Sequence, residues 1–289
     1  MTSITAFRNR PPTFYLSRGL IYAILIAGSM VALMPMIWTL STSLKTLDQI
    51  NIWPPRLFPA PIAWQNYLEV FDYVPVALYL RNSLIIVASW VFGAVVTCSF
   101  VAYGFARTEF RGRNFLFIVL LSTLMMPYVV RLIPLFMIYK NIGWINTFLP
   151  LTVPMLLGRN AFYIFLLRQF FIGIPNDLSD AARIDGCSHF GIWWRIVMPL
   201  SKPALATVAV FAFQSAWDDF LGPMVYMGGN PELRTLAVGL YSFRNMPGQL
   251  PMVHYLMAMS TMMILPVLLI FAFGQRYFIQ GVTLSGIKG

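Results

Sequence analysis

The sequence predicts an all-α polytopic membrane protein with six transmembrane helices, and two observations indicate this class. The 289 residues are 58% hydrophobic and only 10% charged, and the mean hydropathy is +0.71, whereas soluble domains carry about 25% charged residues. In addition, apolar segments recur along the chain at the length of about 20 residues that a helix needs to cross a bilayer with its backbone satisfied internally.

The six predicted spans differ in the residues that interrupt them. They cover residues 19–44, 82–106, 115–138, 148–167, 203–227 and 256–279. The first has no small-residue cleavage site of the kind that follows a signal peptide, so we expect it to stay in the membrane. Proline disrupts a helix because it lacks an N–H donor. We therefore expect kinks or broken turns in the third, fourth and sixth spans, which contain Pro127 and Pro134, Pro150 and Pro154, and Pro266.

The distribution of Lys and Arg predicts the orientation. With the N-terminus inside, twelve of the 20 basic residues fall on the inner side and six on the outer side, while Arg131 and Arg159 fall within spans. This excess predicts that both termini are cytoplasmic. The net charge of +10 then reflects topology and contact with membrane lipid headgroups. Because the basic residues form no continuous patch, we expect no nucleic-acid partner.

A polar segment between the fourth and fifth spans predicts a short helix on the inner side. Asn176 is a candidate N-cap with acidic residues after it, and Gly186 is a natural helix end. Asp180 and Arg183 are three residues apart and should pair. One face is made mostly of small side chains: Leu178, Ala181, Ala182 and Asp185. A second helical stretch should begin at Ser188.

This segment resembles the cytoplasmic Glu-Ala-Ala loop of permease subunits in binding-protein-dependent ABC importers. The residues that carry the resemblance are Asp180, Ala181, Ala182, Asp185 and Gly186, followed by Met198, Pro199 and Leu200. Further segments, including 102–107, 126–127 and 217–220, are similar to the carbohydrate-type (maltose-permease-like) branch. The resemblance implies the type I ABC importer permease fold. It also implies that the 177–190 loop couples the chain to ATPase subunits through the five residues named first, with Asp180 in place of the usual glutamate.

The resemblance also implies a domain organisation and a set of partners. We expect a cytoplasmic segment 1–18, a first transmembrane helix and outer segment 19–80, a permease core 81–280 with the coupling loop 174–202, and a cytoplasmic tail 281–289. The implied partners are a second homologous permease subunit, two ATP-binding subunits and an extracytoplasmic solute-binding protein, all at a prokaryotic inner (plasma) membrane. The chain has no G-x-x-x-x-G-K-[ST] motif. ATP and Mg are therefore expected on the partner ATPase subunits, with no cofactor in this chain.

Charged and aromatic residues within the spans are candidates for the solute path or a gate, because charges are costly in a membrane. These candidates are Tyr128, Arg131, Arg159, Trp217, Asp218 and Asp219. At about 1.5 Å per residue, Arg131 and Asp218 reach similar depths, so they are expected either to pair or to line the path. Arg159 needs a partner subunit's acid or a water-filled path.

Several alternatives stay open on the sequence alone. The favoured solute is a sugar or oligosaccharide, but Arg131 and Arg159 also suit a phosphorylated polyol such as glycerol phosphate. A secondary carrier or channel is a different class of transporter. An enzyme is not expected, since His189 and His254 fall on opposite sides of the membrane without a catalytic or metal-binding pattern around them. Cys98 and Cys187 are likewise separated, which excludes a disulfide framework.

Overall fold

The computed structural model describes residues 12–244 and 252–285. The predicted cytoplasmic segment 1–18 and tail 281–289 lie in part outside the described residues. The chain divides into two compact units, Met1–Val70 with Gln249–Thr261 and Phe71–Gly248 with Met262–Gly289. Within the described residues all regular structure is helical.

The helices follow one another along the chain with short connections. The α-helices are α1 (Pro12–Ser43), α2 (Leu47–Ile50), α3 (Asn66–Tyr73), α4 (Val76–Phe92), α5 (Ser99–Arg107), α6 (Arg113–Ser122), α7 (Tyr128–Asn141), α8 (Leu149–Leu156), α9 (Ala161–Ile172), α10 (Asn176–Ile184), α11 (His189–Ile192), α12 (Met198–Leu200), α13 (Lys202–Trp217), α14 (Leu221–Met227), α15 (Leu236–Arg244) and α16 (Val253–Ser285). Two π-helical segments, Gly93–Cys98 and Trp193–Val197, join α4 to α5 and α11 to α12.

Four helical segments of the described chain are long and apolar enough to cross a membrane. They are Ser17–Ser43, Val76–Arg107, Leu149–Ile172 and Val253–Gln275. Two bent pairs would each add a span if the pair is counted as one: Arg113–Met125 with Tyr128–Asn141, bent by 103°, and His189–Leu200 with Lys202–Trp217, bent by 84°. The predicted all-α polytopic fold is confirmed, and six is the upper limit of the span count.

The predicted third and fifth spans are both interrupted. Pro127 breaks the third, because a residue before proline is held out of the helical region, and Met126 is accordingly extended at φ −80° and ψ 116°. The fifth was expected to run continuously over 203–227, which is wrong. Helix α13 ends at Trp217, and α14 begins only at Leu221.

Hydrogen bonds in the first unit join the end of α1 to the start of α3. The side-chain amide of Asn66 donates to the carbonyl oxygens of Ser43 and Lys45, both at 2.8 Å. The Ser43 hydroxyl lies 2.7 Å from the hydroxyl of Tyr67. Lys45 is buried, which lowers its pKa, and its ammonium lies 4.5 Å from the centre of the Trp38 ring. The segment that follows the first span is therefore fixed to that span by buried polar contacts.

The core of the second unit lies where the second, fourth and fifth spans meet. Helix α5 packs along α9, while α13 packs on α4 and α9. Small buried residues at these contacts, including Ala94, Ala102 and Ala212, let the helix backbones approach closely, as in other membrane helix pairs. The same core includes Ala182 and Trp193 of the inner loop. The loop is therefore packed onto the spans.

Gly93 marks the closest approach between the second and fourth spans. A Cβ atom at Gly93 would lie 2.3 Å from the carbonyl oxygen of Met155. Since that neighbour is backbone, α8 would have to move. We predict that Gly93→Ala lowers the free energy of unfolding by about 1–3 kcal/mol, the usual cost of overpacking, seen as a lower melting temperature of the purified protein.

The matched control is Gly104→Ala in the same span, where an added Cβ meets nothing within 4 Å. This variant should melt at the wild-type temperature or above it, since alanine is favoured over glycine in a helix by about 0.5–1 kcal/mol. Equal melting temperatures for the two variants would show that the helices are not in contact at Gly93.

Candidate functional site

Helix α10, in the loop predicted to lie on the inner side, forms where the sequence predicts it. It covers Asn176–Ile184, with Pro175 instead of Asn176 at the N-cap position. The turn that follows Ile184 and stops the helix contains Gly186. Its φ of +78° is a left-handed conformation that glycine adopts without strain. The amide of Gly186 donates to the Arg183 carbonyl at 3.0 Å, and that of Cys187 to the Ala182 carbonyl at 2.9 Å. This is the Schellman pattern, and it confirms the predicted helix end.

The two faces of α10 have different environments. Ser179 and Ala182 are buried, and Ala182, at 9% exposure, packs within the chain's own hydrophobic core. The other four predicted coupling residues, Asp180, Ala181, Asp185 and Gly186, are exposed. The prediction that Ala182 belongs to the same accessible surface is therefore wrong, because Ala182 lies on the face that holds the helix against the spans.

The sequence analysis missed Ile184, which is 88% exposed. Leu178, Ala181 and Ile184 are spaced three residues apart, so they lie on one side of the helix. This spacing is visible in the sequence, but the predicted face combined Leu178 and Ala181 with Ala182 and Asp185, and it left Ile184 out. A nearly fully exposed isoleucine in a polar loop marks a surface suited to a partner, since burying its side chain stabilises a contact by about 1.5–3 kcal/mol.

The predicted pairing of Asp180 with Arg183 is confirmed. Their oxygen and nitrogen atoms lie 3.1 Å apart. Both side chains are largely exposed, and surface pairs of this kind contribute about 0.2–1 kcal/mol. The pair therefore orients Asp180 more than it stabilises the helix.

Arg107 connects the C-terminal end of the second span to the beginning of α10. Its guanidinium donates to the carbonyl oxygen of Phe171 at 2.6 Å, to the carbonyl of Ile174 and to the side-chain oxygen of Asn176. Charge-assisted hydrogen bonds are stronger than neutral ones. Arg107 thus fixes the turn through which α9 leads into α10.

The chain after α10 is also held against the spans. The Ser188 side chain accepts a hydrogen bond from the Gly191 amide at 3.2 Å, which confirms the predicted N-cap. Trp193 is buried, with its ring centre 5.1 Å from that of Phe100. The hydroxyl oxygen of Tyr103 lies 3.3 Å from Nδ1 of His189. Consequently α10 sits on a rigid support on both of its flanks.

A cavity of about 230 Å³ lies in the second unit, near the breaks in the third and fourth spans. Four of the predicted path residues line it: Tyr128, Arg131, Arg159 and Asp219. Trp217 does not line it, because its ring is buried against Phe213 and its indole N–H donates to the Met263 carbonyl at 3.0 Å.

Asp219, and not Asp218, is the acidic residue of the cavity. Asp218 is exposed and forms no ion pair with Arg131 in the described part of the chain. The depth argument failed because α13 ends at Trp217, so the two aspartates follow a non-helical course. Asp219 accepts a hydrogen bond from the Gly222 amide at 3.0 Å and attracts Arg159 electrostatically.

These features agree with a comparison against known protein families. The model of the family described as "Binding-protein-dependent transport system inner membrane component" matches residues 94–284. The chain belongs to this family. It is accordingly a transport permease and not an enzyme, as the sequence predicted, and a multi-pass protein of the inner membrane.

Curated relatives of this permease include subunits of several uptake systems. The arabinooligosaccharides transport system permease protein AraQ of Halalkalibacterium halodurans is 35% identical, covering 80% of this chain and 81% of the relative. AraQ of Bacillus subtilis is 32% identical, with 96% and 98% covered. The sn-glycerol-3-phosphate transport system permease protein UgpE of Yersinia enterocolitica is 28% identical, with 91% and 94% covered.

A solved structure shows the same fold. A chain of a bacterial ABC transporter involved in the import of the acidic polysaccharide alginate superposes with a TM-score of 0.81 at 23% identity, covering 93% of this permease and 99% of that chain. The type I ABC importer permease fold predicted by the resemblance is therefore confirmed.

We predict that Arg107→Ala loosens the start of α10. Loss of charge-assisted hydrogen bonds, each worth about 1.5–3 kcal/mol, should raise backbone amide exchange over residues 174–186 about tenfold or more. Mass-spectrometric hydrogen exchange on the purified permease measures this. Arg111→Ala removes an exposed arginine of the neighbouring loop and should leave the exchange unchanged. Equal exchange in both variants would refute the role of Arg107.

We also predict that Gly186→Val destabilises the end of α10. An added Cβ meets nothing within 4 Å, so the cost comes from the left-handed backbone, about 1–2 kcal/mol for a residue other than glycine. Exchange of the backbone amides at positions 186 and 187 should rise severalfold. Gly186→Asn is the control, since asparagine tolerates this conformation better, and it should exchange more slowly than the valine variant. The reverse order would contradict this account.

Proposed function

We propose that this permease is one of two homologous membrane subunits of an ATP-driven importer and forms half of the translocation path. It receives a sugar or oligosaccharide from an extracytoplasmic binding protein. Helix α10, within the coupling loop 174–202 of a permease core spanning 81–280, transmits movement from two ATP-binding subunits that hold ATP and Mg. Since α10 must face these subunits, both termini of the permease lie in the cytoplasm.

The observation that carries this proposal is the exposed surface of α10. Ile184 and Ala181 are accessible, while Ala182 and Ser179 fix the opposite face to the spans. A force applied to the exposed face therefore reaches the membrane core through packed side chains. The helix is a mechanical connection.

The energies favour a docking surface of several residues. Shifting a two-state equilibrium from 1:99 to 99:1 takes about 5.5 kcal/mol. Burial of Ile184 supplies about 1.5–3 kcal/mol, and one charge-assisted hydrogen bond from Asp180 about the same. Neither contribution suffices alone, so several residues of the exposed surface have to act together.

The solute class rests on the relatives. AraQ of Bacillus subtilis, named for arabinooligosaccharide transport, matches 96% of the chain. A phosphorylated polyol is the second candidate, supported by the UgpE relative and by the two arginines of the cavity.

We predict that Ile184→Asp uncouples the importer. A carboxylate cannot replace the apolar contact, so the ATP-binding subunits should co-purify about tenfold less, as expected for a loss of about 1.4 kcal/mol or more. The experiment uses the assembled importer with its cognate subunits in proteoliposomes and measures co-purification and ATP-driven uptake of arabinotriose and of sn-glycerol 3-phosphate.

The control is Glu109→Gln, which changes an exposed residue of the other inner loop. It should leave assembly and uptake as in the wild type. Normal assembly and uptake in Ile184→Asp would refute coupling through this surface, and uptake without ATP would favour a secondary carrier.

A further inference from the structure

The cavity holds two buried hydrogen-bond donors that have no partner among the described residues. They are Nε of Arg131 and the hydroxyl of Tyr226, and both residues line the cavity. A buried donor without an acceptor costs about 1–3 kcal/mol. Two such donors in residues that line one cavity leave its wall with unused hydrogen-bonding capacity.

The positive charges of the cavity are not balanced. Asp219 is the one carboxylate among the described lining residues, and its electrostatic attraction is to Arg159. No ion pair joins Arg131 to a carboxylate in the described residues. Arg131 thus leaves the cavity with one uncompensated positive charge.

The backbone adds to this positive potential. Helix α7 begins at Tyr128 and α9 begins at Ala161, and both residues line the cavity. Each helix N-terminus carries the equivalent of about half a positive charge. Side chains and helix termini therefore favour the same kind of ligand, an anion.

We propose that this cavity is a subsite for an oxyanion group of the transported solute, either a carboxylate, a sulfonate or a phosphate, with Arg131 and Tyr226 as its hydrogen-bond donors. Arg159 and Asp219 lie on the neighbouring wall, and their opposite charges cancel. The solute class is then an acidic or phosphorylated carbohydrate. This inference rests on the proposed import function and narrows its substrate.

A neutral sugar would satisfy this site less well. Its hydroxyl groups accept hydrogen bonds, but they leave the charge of Arg131 uncompensated. Bonds between an arginine and an oxyanion are roughly twice as strong as neutral ones, and they are often bidentate. The site is therefore expected to bind an anionic sugar more tightly than its neutral counterpart.

The test measures binding to the assembled importer in nanodiscs of zwitterionic lipid. Two matched probe pairs are used: methyl β-D-glucuronide with methyl β-D-glucoside, and sn-glycerol 3-phosphate with glycerol. We expect the anionic member of at least one pair to bind about tenfold or more tightly, as one charge-assisted hydrogen bond predicts. Arg131→Gln should bring this ratio close to one, and Tyr226→Phe should lower it severalfold.

Two controls separate charge in the cavity from charge nearby and from misfolding. Lys140→Gln removes an exposed cation from the outer end of the same helix, α7, and should keep the wild-type ratio. Arg131→Lys preserves the charge and should retain an intermediate ratio, which a misfolded variant would not. The Arg131 and Tyr226 variants are expected to melt close to the wild-type temperature, which shows that they are folded.

Three results would overturn the proposal. These are the absence of an anion preference in both pairs, a preference that survives Arg131→Gln, and binding of inorganic phosphate without either organic anion, which is an adventitious ion only. The proposed function is judged separately by co-purification of the ATP-binding subunits. An importer that assembles and couples normally but shows no anion preference refutes the subsite alone.

Discussion

The contact between Arg107 and the carbonyls that precede α10 is the interaction on which the position of α10 depends. The last carbonyls of a helix have no partner in the regular helical pattern, and the guanidinium of Arg107 donates to that of Phe171, near the end of α9, and to that of Ile174 in the turn after it. The same contact joins the second span to the fourth. Ala182, on one face of α10, is buried against the spans, and Ile184, on another face, is exposed. Helix α10 is therefore packed onto the spans along one face. An exposed docking face is useful to a transporter only if it is connected in this way.

The cavity depends on a different constraint, namely that backbone polar groups inside a membrane need partners. The third span is broken at Pro127, and the fourth between Leu156 and Ala161. Breaks of this kind are tolerated where they are covered by protein or line a cavity. Here they bring two helix N-termini, Arg131 and Arg159 to one place. The irregular backbone that interrupts the spans is thus the same feature that makes the site positively charged.

The residues of the inner loop were the best predicted part of the site. Helix α10, its glycine end, the Asp180 and Arg183 pair and the Ser188 cap follow from local chemistry, since each involves residues three to five positions apart. The sequence did not show which face of α10 is buried and which is exposed. Whether Ala182 or Ile184 is buried depends on packing against residues that are distant in sequence. The expected pairing of Asp218 with Arg131 also failed, because a depth count assumes a helix that continues past Trp217. A path-lining role of Asp218 stays a prediction.

By itself, the sequence determined the membrane class, the apolar segments, the family-type loop and the break at Pro127, because these depend on composition and on near neighbours. The helix continues through Pro134, Pro154 and Pro266, where breaks or kinks were also expected. Only the tertiary structure decided which side of α10 is free, that Arg107 supports it, and that Asp219 joins Arg131 and Arg159 around one cavity. These outcomes depend on how spans far apart in the chain pack together. Packing of that kind is set by close backbone approach at positions such as Gly93, which a single sequence does not reveal.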